Sequence, residues 1–162
     1  DDNPVIFIET KSLNAIKGEV PDQEYVIPIG KADIKQAGSD VTIVTAGRLV
    51  HDALQAAKTL SEEGIRAEVI DLRSIQPWDK ECVFSSVAKT HRLVIAHEAV
   101  KSFGFGAEIS ATVAEEMLDE LDAPIERVGA PFVPIPFNNE KAYVPDAGKI
   151  AAAVKKNLAR TF

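Results

Sequence analysis

Val41-Thr42-Ile43-Val44-Thr45, closed by Gly47 and followed from Leu49 to Glu63 by Val50, Leu54, Ala57 and Leu60, decides the fold. The first piece is a β-branched run suited to a buried strand. The second repeats its apolar residues at helical spacing until Gly64 stops it. The same alternation continues downstream. Ala67-Glu68-Val69-Ile70-Asp71 reads as a strand, and Asp79 caps a helix through Lys89 with Val83 and Val87 one turn apart. Leu93-Val94-Ile95-Ala96 is a third strand, and Gly106 to Leu121 a helix with Ile109, Val113 and Met117 on one face. Ile125 to Val128 is a fourth strand. Pro131, Pro134, Pro136 and Pro145 then mark a loop before Asp146 caps a last helix to Leu158. Four strand–helix alternations with short connections predict a parallel sheet with right-handed crossovers. The fold class is α/β: three layers, α/β/α, around a mostly parallel twisted sheet.

Upstream the pattern is different. Val5-Ile6-Phe7-Ile8 reads as a short buried strand. Residues 9–38 contain Gly18, Pro21, Pro28, Gly30 and Gly38 without periodicity, which predicts a linker wrapping a surface, extended at Tyr25 to Ile29. The chain therefore divides into a strand at 1–8, a linker at 9–38 and an α/β domain at 39–162. A first residue other than Met, leading straight into an apolar run, suggests a piece of something larger.

Composition excludes several function classes. The 162 residues carry 18 Lys and Arg against 25 Asp and Glu, a net charge of −7, which disfavours a nucleic-acid partner. No run of 18 apolar residues predicts a membrane helix, and the opening Asp1-Asp2-Asn3-Pro4 lacks signal-peptide character. Cys82 stands alone, so neither an internal disulfide nor a Cys-based zinc site is expected, as suits a reducing compartment.

In an open α/β sheet, ligands gather at the carboxyl ends of strands. Those ends carry Gly47-Arg48, Asp71-Leu72-Arg73, His97-Glu98 and Gly129-Ala130-Pro131. Gly104-Phe105-Gly106 is neither a Walker loop nor a dinucleotide fingerprint. Its glycines read as a close helix–loop approach rather than a phosphate cradle. His97 and Glu98 are adjacent on an extended segment and point to opposite sides. His97 reads either as a hydrogen-bonded residue at a domain interface or as a group titrating near neutrality. His51 and His91 read as surface residues. Ser85, Ser86 and Ser110 lie inside helices without a nucleophile elbow. Glu115, Glu116, Asp119, Glu120 and Asp122 crowd one helix end, as a solvated face or as a receptor for a basic partner.

Longer segments carry a family resemblance: Gly18-Glu19-Val20-Pro21, Tyr25-x-Ile27-Pro28-x-Gly30-Lys31-Ala32, and Glu68 through Asp79 with its Asp71-Leu72-Arg73-Ser74 core. Arg92-Leu93-Val94-Ile95-x-His97-Glu98-Ala99, Gly104-Phe105-Gly106-Ala107-Glu108-Ile109 and Asp122-Ala123-Pro124-Ile125-x-Arg127-Val128 extend it over nearly the whole chain. Together they resemble the C-terminal half of the beta subunit of thiamine-diphosphate-dependent 2-oxo acid dehydrogenases, the transketolase C-terminal domain. The resemblance implies an α2β2 parent enzyme that decarboxylates a 2-oxo acid on thiamine diphosphate and acylates a lipoyl group. It implies that the cofactor and Mg sit on the alpha subunit and on the beta subunit's N-terminal, pyrimidine-binding domain, of which residues 1–8 would be the last strand. This stretch then holds no catalytic, cofactor or metal residues. Its implied partners are the alpha subunit, a second beta subunit and the dihydrolipoyl acyltransferase core. By the same resemblance, Asp122, Glu126 and the Phe162 carboxylate receive basic residues of a subunit-binding domain. The implied location is the cytoplasm in bacteria, and the mitochondrial matrix or plastid in eukaryotes. The substrate, pyruvate or a branched-chain 2-oxo acid, stays open. A single-chain transketolase or deoxyxylulose phosphate synthase and a free-standing ligand-binding α/β module are the alternatives.

Overall fold

Five strands in the order β1-β3-β2-β4-β5 form the sheet of the computed structural model, which describes residues 2–162. They are β1 (Asp33–Gln36), β2 (Val41–Thr45), β3 (Ala67–Asp71), β4 (Leu93–Val100) and β5 (Glu126–Ala130). β2 runs parallel to β3 from Val41↔Ala67 to Thr45↔Asp71 and parallel to β4 from Thr42↔Leu93 to Val44↔Ile95. β5 runs parallel to β4, and β1 runs antiparallel to β3. The helices are α1 (Leu49–Glu62), α2 (Lys80–Thr90), α3 (Phe105–Glu116), the single turn α4 (Glu140–Tyr143) and α5 (Ala147–Leu158). No helix among the described residues is long and apolar enough to cross a membrane.

Alternation along the strands explains the three layers. Val41 and Ile43 of β2 pack with Leu49 and Leu60 of α1 and Ile150 and Val154 of α5. Val44, one residue on, joins Val83 and Val87 of α2 and Ile109 and Val113 of α3 on the other face. The three central strands β2, β3 and β4 each feed both cores, so their sequences are mostly apolar.

Thr42 and Glu68 are two of the buried polar residues inside this layer. Glu68 is 1% exposed and accepts from Ser86 Oγ at 2.5 Å, from Gly38 N at 3.3 Å and from Lys89 Nζ. Ser86 spends its proton on Glu68, so Thr42 donates to Ser86 at 2.6 Å and Thr90 to Thr42 at 2.7 Å. Burial alone would raise the Glu68 carboxyl, but these donors outweigh it and hold it below the ordinary range.

The core from residue 41 onward follows the expected order, with shifts at the ends of elements. β4 runs on to Val100 and β5 is Glu126–Ala130. α3 stops at Glu116 rather than Leu121, and a 3-10 turn, Leu118–Glu120, follows. Carboxylates Glu115, Glu116, Asp119 and Glu120 at that helix end oppose the dipole and favour an early stop.

Upstream of residue 39 the chain's own sheet differs from the reading in two places. Val5 to Ile8 forms no strand: it pairs with no sheet edge, and its side chains are exposed. A β-branched run without a hydrogen-bonded neighbour has nothing to hold it as a strand. Conversely, Asp33–Gln36, placed in the linker, is the edge strand β1. Its only apolar residue is Ile34, because an edge strand beside solvent can be mostly charged. Its backbone ladder with β3 holds it, and Arg73 Nη2 adds a donation to Asp33 Oδ2 at 2.6 Å, an oxygen that Lys35 of the same strand also meets at 2.7 Å.

Asp79 fastens this N-terminal strap to the core. Its Oδ1 accepts from Cys82 N at 3.1 Å, capping α2, while Oδ2 accepts from Ala32 N at 3.0 Å. Asp79→Ala should therefore cost about 2 kcal/mol in urea denaturation, one hydrogen bond for the cap and one for the strap. Asp79→Asn, which keeps one acceptor oxygen, should lose about half of that.

Candidate functional site

The chain leaves β2 toward β3 on one side and β4 toward β5 on the other, so the topological switch point lies between the carboxyl ends of β2 and β4. Arg48, opening α1, bridges it. Its Nε donates to Glu98 Oε1 at 2.8 Å and its Nη1 to Asp52 Oδ2 at 2.8 Å. A cleft of about 530 Å³ lies over this bridge, lined by Thr10, Ser12, Lys141, Val144, Pro145 and Asp146 besides Arg48 and Glu98. Asp71 and Arg73 lie apart from it, with Arg73 reaching to β1.

His97 and Glu98 face opposite ways, as their spacing requires. Glu98 stands half exposed on the cleft. His97 is 2% exposed beneath α3, its ring centroid 4.8 Å from that of Phe105. Its Nδ1–H donates to the Ala99 carbonyl at 3.0 Å, leaving Nε2 buried without a hydrogen-bond partner. Burial pushes the imidazole below its ordinary value, and Arg127 reinforces the shift against the Ala99 hydrogen bond. Neutral His97 is a packed ring rather than a poised acid or base.

Three glycines make room for that ring. A Cβ on Gly104 would sit 2.4 Å from His97 Cε1, and one on Gly106 2.8 Å from Cδ2. A Cβ on Gly129 of β5 would sit 3.1 Å from Cε1. The Gly104-Phe105-Gly106 turn is thus filled by imidazole and offers no open phosphate cradle. Beyond it, Phe103 at φ +59° is fully exposed, and Phe132 and Phe137 are exposed on the loop after β5. Val100, Phe132, Val133 and Pro134 line a second, apolar hollow of about 340 Å³ there.

Asp122, Glu126 and Phe162 meet at the opposite end of the sheet, in unequal roles. Exposed Asp122 accepts at its carbonyl from Phe162 N at 3.2 Å, so the exposed Phe162 lies beside it. Glu126 is 7% exposed, and its carboxylate accepts from Lys156 Nζ and Arg160 Nη1, each at 2.9 Å. Burial would raise this carboxyl, yet the two cations outweigh burial and hold it low. His91 closes α2 at φ +57° and donates from Nδ1 to the Glu120 carbonyl at 2.8 Å. Arg92 Nη1 holds the carbonyls of Asn157 at 2.7 Å and Arg160 at 2.9 Å. Sequence reasoning missed Arg92, Lys156 and Arg160. The one local signal was the pair of cations Lys156 and Arg160 one helical turn apart. No three His, Cys, Asp or Glu side chains among the described residues converge as a metal site.

A family model described as transketolase, C-terminal domain, matches residues 30–150, and the chain belongs to that family. It is 47% identical to the beta subunit of acetoin:2,6-dichlorophenolindophenol oxidoreductase of Bacillus subtilis, over 98% of this chain and 47% of that one. It is 44% identical to the mitochondrial beta subunit of the pyruvate dehydrogenase E1 component of Dictyostelium discoideum, over 96% of this chain and 46% of that one. The chain thus spans about half the length of these curated relatives. A solved structure of a split-gene transketolase, an inactive beta4 tetramer, superposes with a TM-score of 0.77 at 32% identity, covering 90% of this chain and 47% of that one.

The imidazole supplies the test of this geometry. Gly106→Ala should destabilise the fold by about 2 kcal/mol, because ring and strand leave the new methyl no space. Lowered in the folded state, His97 takes up its proton more readily when unfolded, so it lowers stability as pH falls below about 6.5. His97→Asn should remove that portion of the slope in urea midpoints measured from pH 7 to 5.

Proposed function

We propose that this chain is the C-terminal assembly domain of the beta subunit of a thiamine-diphosphate-dependent 2-oxo acid dehydrogenase. The supporting observation is 44–47% identity to the beta subunits of a pyruvate dehydrogenase E1 component and of an acetoin:2,6-dichlorophenolindophenol oxidoreductase, along 96–98% of the chain. The parent enzyme joins two alpha and two beta subunits, decarboxylates a 2-oxo acid and passes the acyl group to a lipoyl group of an acyltransferase core. The residues present here do not fit Mg or a diphosphate: no metal-ligand cluster forms among the described residues, and the glycine turn is filled by His97. Cofactor and metal are accordingly assigned to the alpha subunit and to the rest of the beta subunit. Relatives named for acetoin and for pyruvate match this chain almost equally, which supports placing substrate choice outside it.

Two surfaces support an assembly role. The exposed Phe103, Phe132 and Phe137 give an apolar end suited to subunit pairing. The acidic end, with Asp122 and Phe162 side by side, suits the basic side chains of a subunit-binding domain. A second reading, a transketolase whose halves lie on separate chains, is favoured by the split-gene transketolase neighbour.

Calorimetric titration separates these readings. A subunit-binding domain from a dihydrolipoyl acyltransferase should bind, with affinity falling about tenfold as salt rises from 0.05 to 0.5 M. Asp122→Asn should weaken it by about tenfold, while thiamine diphosphate with Mg should give no heat. Tight binding of thiamine diphosphate to this chain, or no binding of the subunit-binding domain, overturns the dehydrogenase assignment. Self-association by sedimentation should diminish in Phe103→Ser and Phe132→Ser.

A further inference from the structure

The cleft over the switch point carries charged groups that an assembly role leaves unused. Its inner side is the Arg48 bridge, where one guanidinium faces two carboxylates, Asp52 and Glu98, each at 2.8 Å. That side keeps a surplus of negative charge, and Glu98, with 46% of its side chain exposed, is the member most open to a ligand. Thr45 lies on the same side of the sheet. It shares the face of β2 on which Val41 and Ile43 meet α1 and α5, and its Oγ1 is buried without a hydrogen-bond partner. At this end the face finishes in an unmatched polar group rather than an apolar plug.

Further lining comes from α4 and the turn into α5. Lys149 of α5 donates to the carbonyls of Ala142 and Val144 at 2.7 and 2.8 Å, which holds that turn in place. Lys141 is exposed and has no hydrogen-bond or ion-pair partner among the described residues. The carboxylate that lines the cleft with it, Asp146, is committed through Oδ1 to capping α5, 2.8 Å from Lys149 N. This side therefore offers an unpaired cation. α1 starts at the same cleft without a side-chain cap, which adds the positive end of its dipole. Val144 and Pro145 contribute apolar surface, and Thr10 and Ser12 contribute hydroxyls from the upstream chain.

We propose that this cleft binds a small α-amino carboxylate with an apolar side chain. Lys141 takes the carboxylate, Glu98 takes the ammonium, and Val144 and Pro145 take the side chain. The charge pattern disfavours simpler ligands. A bare anion meets Lys141 but also the surplus negative charge of Glu98 and Asp52. A bare amine meets Glu98 but also Lys141 and Arg48. A ligand carrying both signs leaves neither side facing a like charge alone. The volume, about 530 Å³, lies within the range of small-molecule sites. The cleft is at the opposite end of the sheet from Asp122 and Phe162, so failure of this site leaves the proposed assembly role standing.

The test is titration of the purified chain, followed by backbone amide NMR shifts, with norvaline, valerate and butylamine as probes. Valerate is norvaline without its amino group, and butylamine is norvaline without its carboxylate. Norvaline should shift the amides of residues 47–50, 97–99 and 141–147 in a saturable way. Each analogue should bind about tenfold more weakly, having lost one charge-assisted contact. Lys141→Met should weaken norvaline about tenfold and leave butylamine no weaker, while Glu98→Gln should weaken norvaline about tenfold and leave valerate no weaker. Valerate binding as well as norvaline would make this an anion site and overturn the proposal. Butylamine binding as well as norvaline would make it a cation site and overturn it equally. No saturable shift with norvaline, or shifts confined to other residues, would also overturn it. Lys141 is exposed and unpaired, so Lys141→Met keeps the test open should Glu98→Gln, which loses an Arg48 contact, fail to fold.

Discussion

β2 is buried on both faces and hydrogen-bonded along both edges, and the rest of the molecule follows from that constraint. A parallel strand so enclosed needs a neighbour on each side and a helical layer above and below. α1 and α5 supply one layer and α2 and α3 the other. Every connection between the parallel strands must then cross over the sheet, which sends the returning loops to its two ends. The same enclosure forces the polar residues of the strand to find partners inside. Thr42 does so through Ser86 and Thr90, whereas Thr45 Oγ1 is buried without one.

The two ends thus acquire different characters. At the carboxyl end, long loops leave apolar side chains outside and place the Arg48–Glu98 bridge across the switch point. At the amino end, short polar turns are cross-braced by charged side chains from α5 and Arg92. Both ends thus offer surfaces of distinct chemistry, apolar at one and charged at the other, which is the feature that the proposed assembly role draws on.

Most of the order from residue 41 to 158 was legible because period-2 and period-3.6 patterns are local. Asp79 and Asp146 announced their helices for the same reason, a short side chain followed by an apolar period. The misses have physical causes. β1 carries one apolar residue, since its outer edge faces water, and nothing in Asp33-Ile34-Lys35-Gln36 announces a strand. Val5 to Ile8 has the composition of a strand, but composition supplies no partner. Gly104 and Gly106 were legible as sites of close approach, yet not what approaches, because Gly129 completes the pocket from another strand. The matched charge of Glu126 was hidden likewise, its cations lying thirty and more positions away.

The imidazole of His97 and its three glycines also constrain how this domain can change over evolutionary time. Each glycine meets the ring, so none is free to drift while the ring remains. Replacing the ring with a short side chain would release them unequally, because the Val100 carbonyl still crowds Gly104 and the Lys101 backbone still crowds Gly129. Gly106, left mainly against the Ile95 side chain, is the position that would gain most freedom. The ring can therefore change only ahead of Gly106, while Gly104 and Gly129 stay fixed by backbone in either packing.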